Sequence, residues 1–208
     1  MLDHVFAQLV TAVRDSFESA LLQRQAVEER FQVDVFLGDV SFETSYSLPG
    51  EERPARIRVD LSLDWPTWSQ TSFRSWSIGE EPDEQPEVLV EIAFRVQGLV
   101  AEPDIGPLVA ALPAELGVLG GEPLPRGSTT IERVLAAPQK GGQSPRSEAS
   151  ECAVEVSYEG SCPVEEGMLE DPSTIHDALA PLGRAVASVL VRIGDLPFEF
   201  RAVADPSD

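Results

Sequence analysis

Arg56-Ile57-Arg58-Val59-Asp60-Leu61-Ser62-Leu63-Asp64 alternates apolar and polar residues without a break. Period two marks a strand with one dry and one wet face, because successive side chains leave a pleated backbone on opposite sides. Ile57, Val59, Leu61 and Leu63 then face a core, and Arg56, Arg58, Asp60, Ser62 and Asp64 face water. Such clean alternation belongs to antiparallel sheets. The same period returns on both sides. Val88, Val90, Ile92, Phe94 and Val96 predict a strand over 87–98, and another runs from Cys152 to Tyr158. Upstream, Val33, Val35 and Leu37 alternate with Asp34, Phe36 and Gly38, and Val40 and Phe42 alternate with Asp39, Ser41 and Glu43. The phase slips near Gly38, which suits a β-bulge. Pro49-Gly50 makes a turn. These runs give four strands.

Two amphipathic helices flank them. Over residues 2–29, Phe6, Leu9, Val10, Val13 and Phe17 recur at three- and four-residue spacing. This N-terminal helix packs on its own domain or meets an oligomer partner or client. The main helix runs from Pro172 to Ile193, with Ser173 or Thr174 as cap and Leu179, Leu182, Val186, Val189 and Ile193 on one face. Gly194 suits the left-handed position past a helix end. Phe198-Glu199-Phe200 follows as a short edge strand. Residues 65–86 read as a long hairpin connection. Residues 101–150 lose all period and are rich in Pro and Gly. They form an insertion, with a short helix over 107–116, another helical turn or two over 129–137, and linker composition beyond. The expectation is one α+β domain over 1–208.

The chain has 208 residues, with 36 acids against 15 bases and a net charge of −21. So acidic a surface repels phosphate backbones and attracts basic partners, which argues against nucleic-acid binding. No CxxC pair exists, so a structural zinc site is not expected, and Cys152 and Cys162 read as two buried thiols or one disulfide. The N-terminus lacks a basic start and an uninterrupted apolar run, so it does not read as a signal peptide. No membrane insertion is expected, and the expected location is cytoplasmic. No catalytic, metal or cofactor arrangement stands out. His4 and His176 lie in different helices, and no GxGxxG or GxxxxGK[ST] phosphate cradle occurs.

Trp65, Trp68, Phe73 and Trp76 include all three tryptophans of the chain. Large aromatics outside a core mark contact surfaces for peptides or subunits. The plain alternative is a minicore that closes the end of the sheet.

Asp39-Val40-Ser41-Phe42-Glu43 and the run Pro181, Arg184, Gly194, Pro197 resemble matching segments of the SecB family of export chaperones. The resemblance covers about residues 31–100 and 151–203. It implies a four-stranded antiparallel sheet with a long C-terminal helix packed on it, here with an extra N-terminal helix over 2–29 and the insertion 101–150. It implies an ATP-independent chaperone, not an enzyme, that holds unfolded polypeptide for export or for another partner. Phe36, Phe42, Trp65, Trp68, Phe73 and Trp76 would then bind client peptide. Asp39 and Glu43 would dock a translocation motor. Homo-oligomers built from the first strand and the C-terminal helix would follow, and an antitoxin is another client such proteins protect. The chain departs from the family in its added helix, its insertion and its missing second C-terminal helix. The competing expectation is a structural, adaptor or immunity-type protein that binds one specific partner.

Overall fold

The computed structural model describes residues 2–20, 26–33, 38–48, 55–119, 121–135, 150–165 and 173–201. In chain order the elements are α1 (Leu2–Ala20), β1 (Ala26–Val33), β2 (Val40–Ser47), β3 (Ile57–Trp65), α2 (Thr67–Ser77), β4 (Glu87–Leu99), α3 (Ile105–Ala111), β5 (Glu115–Leu119), β6 (Glu122–Leu135), β7 (Ser150–Pro163) and α4 (Ser173–Gly194). The strands lie in the order β1-β2-β3-β4-β7-β6-β5, and every pairing is antiparallel. The first six of that order form one continuous sheet, and β5 joins only the opening residues of β6.

The four-stranded sheet expected from sequence is therefore corrected. β3, β4 and β7 stand where the alternation put them, and β3 and β4 are antiparallel neighbours. Residues near Gly38 do not bulge within one strand. The chain reverses there, and β1 and β2 pair from Phe31↔Phe42 to Val33↔Val40. Gly38 has φ of 75°, a conformation open to glycine at little cost. Strand pairing over Ala26–Val33 overrides the helical reading of 26–29.

The insertion also contributes strands. Three of its prolines lie near the starts of described elements. Pro107 lies in the first turn of α3, whose N–H groups have no partner within the helix. Pro123 and Pro125 lie near the start of β6, opposite the short β5. Residues 129–135, expected to be helical, pair with β7 instead. The linker expected over 138–149 and the turn at Pro49-Gly50 lie outside the described residues.

α4 packs on β3 and β5, and α1 packs on α4, so the N-terminal helix is used within the molecule. Leu182, Val186, Leu190 and Ile193 of α4 meet a core built from Val59, Ile92, Phe94, Val154 and Tyr158. Gly194 does not take the left-handed conformation expected of it. It supplies room, because the side chain of Leu48 lies where a Cβ would stand. The C-terminal strand reduces to one bridge, Leu99↔Phe200. The guanidinium of Arg56 lies 5.2 Å from the centre of the Phe200 ring and donates to the Arg201 carbonyl at 3.1 Å.

Cys152 and Cys162 are free and buried. They lie ten residues apart on one strand, which separates them by about 33 Å, far beyond the reach of a disulfide. Burial, and then the charge of Glu165, push the Cys162 thiol up to about 11. Cys162 in the folded protein should resist alkylation at neutral pH and react readily in denaturant, which mass spectrometry reads directly. Fast modification of the native protein would contradict this burial.

α2 replaces the expected hairpin loop, and polar residues dock it. The buried Ser69 hydroxyl accepts from the Trp65 indole N–H at 3.0 Å and from the Glu87 N–H at 2.8 Å. It donates to the Glu87 carbonyl at 2.6 Å. Ser69→Ala would leave two donors without partners at a dry junction. It should lower unfolding free energy by about 2–4 kcal/mol in urea titrations. A loss below about 0.5 kcal/mol, the level of an ordinary surface change, would show that the junction is not dry.

Candidate functional site

The aromatic residues expected to receive client peptide are mostly interior. Phe42 is 2%, Trp65 1% and Phe73 1% exposed. Trp76 is half-buried against the same core. Phe6 of α1 stacks on Trp65 at 5.9 Å between ring centres. Phe73 meets Trp65 edge-on at 5.5 Å and Trp76 at 6.2 Å. These contacts form a minicore at the end of the sheet, the alternative open in the sequence. Trp68 alone keeps a large open surface, at 41% exposure. Phe36 lies outside the described residues.

Asp39 and Glu43, expected to share one docking face, do different things. Asp39 precedes β2, and its carboxylate accepts from the Thr67 N–H at 2.6 Å and the Thr67 hydroxyl at 2.9 Å. It caps the start of α2 from a distant part of the chain, since Pro66 at the cap position has no side chain able to do so. Beside it, Gln70 Nε2 donates to the carbonyls of Gly38 at 2.7 Å and Trp65 at 2.8 Å. Glu43 is exposed on β2, on the sheet face away from the core.

No described helix covers that face. The strand register arranges its side chains in rows. One row runs Glu43, Ser62, Glu91, Glu159 across β2, β3, β4 and β7. The next runs Ser45, Asp60, Ala93, Ser157, and the third Ser47, Arg58, Arg95, Glu155, Thr130. An open cleft of about 330 Å³ lies over these rows, lined by Glu43, Ser45, Arg58, Asp60, Ser62, Glu91, Glu155 and neighbouring backbone.

The two arginines of these rows are already engaged. Arg58 Nε donates to Asp60 Oδ2 at 3.0 Å, and the Ser45 hydroxyl donates to the other oxygen of Asp60. Arg95 straps three strands together, donating to Glu155 at 2.9 Å and Glu132 at 2.6 Å. Glu91 and Glu159 are different. They stand directly opposite each other on β4 and β7, and neither has an ion-pair or hydrogen-bond partner among the described residues. Like charges directly opposite in a sheet are destabilising. Partial burial in the cleft holds the Glu91 carboxyl above its usual range, and the charges of Glu159, Glu155 and Asp64 add to the effect. The cleft is thus a set of acceptors with surplus negative charge. Among the described residues, no group of His, Cys, Asp and Glu is placed to hold a metal ion.

This site was missed in the sequence, although Arg58, Asp60 and Ser62 of its lining were assigned to a wet face. The missing information was register, which decides whether Glu91 stands opposite Ser161, Glu159 or Ser157.

Two outcomes follow. Asp39→Ala should lower stability by about 1 kcal/mol, measured as a urea midpoint, through loss of the cap. Glu91 binds a proton more readily in the folded state than in the unfolded one. Its contribution therefore lowers stability as pH rises from the ordinary glutamate range through its raised folded value. Glu91→Gln should raise the melting temperature at neutral pH, and the gain should vanish below the ordinary glutamate range. A gain that persists in acid would assign it to packing instead of charge.

Among the described residues, no helix is long and apolar enough to cross a membrane. Comparison of the chain with protein-family models, with curated proteins and with solved structures finds no match.

Proposed function

We propose that the protein works by binding, and that its partner is a polypeptide with a basic surface that lies across the open face of the sheet. The observation that carries this reading is the cross-strand pair Glu91 and Glu159, two carboxylates set opposite each other with no cation paired to either among the described residues. A lysine or arginine from a partner relieves their repulsion on arrival, so binding gains what folding alone forgoes. The net charge of −21 extends the same preference over the whole molecule and speeds encounter with a basic partner. Arg58 and Arg95 neutralise Asp60 and Glu155, so the attraction centres on Glu91 and Glu159.

The reading favours one specific partner over many unfolded clients. A holdase needs apolar surface, and most of the aromatic side chains that suggested one lie inside the minicore. Trp68 remains as the support for client holding. The two free thiols fit a reducing compartment and so a cytoplasmic location.

The test uses a fluorescently labelled arginine-rich peptide, its glutamate-substituted counterpart, and an aggregation assay with several unrelated unfolded proteins. The basic peptide should bind, and binding should weaken with added salt. The double variant Glu91→Gln, Glu159→Gln should weaken it about tenfold, equivalent to about 1.4 kcal/mol. The variant should remain folded, since it removes a repulsion. Failure of the wild type to bind the basic peptide overturns the proposal. Suppression of aggregation for every unfolded protein, unchanged in the double variant and lost in Trp68→Ala, would replace it with the holdase.

A further inference from the structure

We draw no further inference here: the strongest candidate, the exposed edge of β6 from Ser128 to Arg133 beyond its pairing with β5, carries nothing because nothing in the structure shows what covers it.

Discussion

A single hydroxyl, that of Ser69, decides how one end of the sheet is closed. It satisfies the indole of Trp65 and both backbone groups of Glu87, so the end of β3, the body of α2 and the start of β4 meet at one point. With its N–H engaged, the Trp65 ring can be buried without an unsatisfied donor. That buried ring is the surface on which Phe6 of α1 stacks. α1 in turn covers α4, which covers the sheet. Asp39 and Gln70 tie the β1–β2 connection to the same helix. Few polar contacts thus fix the position of a large apolar assembly, because their directionality supplies what hydrophobic burial lacks.

The parts of this fold that were legible in the sequence are those where burial follows one period. β3, β4, β7 and α4 each present a regular apolar stripe to the core. The parts that were not legible are held by something else. α2 is rich in Ser, Thr, Trp and Phe, residues with modest helix preference, and its place comes from the cap and junction made by distant residues. β1 is a polar strand at the edge of the sheet, and β6 opens on prolines. Both are set by pairing with a neighbour, and local sequence is silent about a neighbour's backbone. The same gap separates the open face as a list of wet residues from the open face as rows of charge.

That face shows how register converts composition into a site. The acids of β4 and β7 would be a diffuse negative surface if the strands slid by two residues. In the observed register, Arg58 and Arg95 stand opposite each other and gather Asp60, Glu155 and Glu132. Beyond the intervening row of Ser45, Asp60, Ala93 and Ser157, the next row is left with Glu91 against Glu159. Neutralised and surplus charge are therefore separated into different rows of one face, a pattern that the net charge alone does not contain.

The strand order also has a kinetic side. Every pairing but one joins strands adjacent in the chain: β1 with β2, β2 with β3, β3 with β4, β5 with β6, and β6 with β7. The exception is β4 with β7, which closes over α3, β5 and β6. Local hairpins form cheaply, whereas a long closure must lose chain entropy before its contacts repay it. The sheet is thus two meanders joined by one seam of high sequence separation, and α4 packs on β3 from one meander and on β5 from the other.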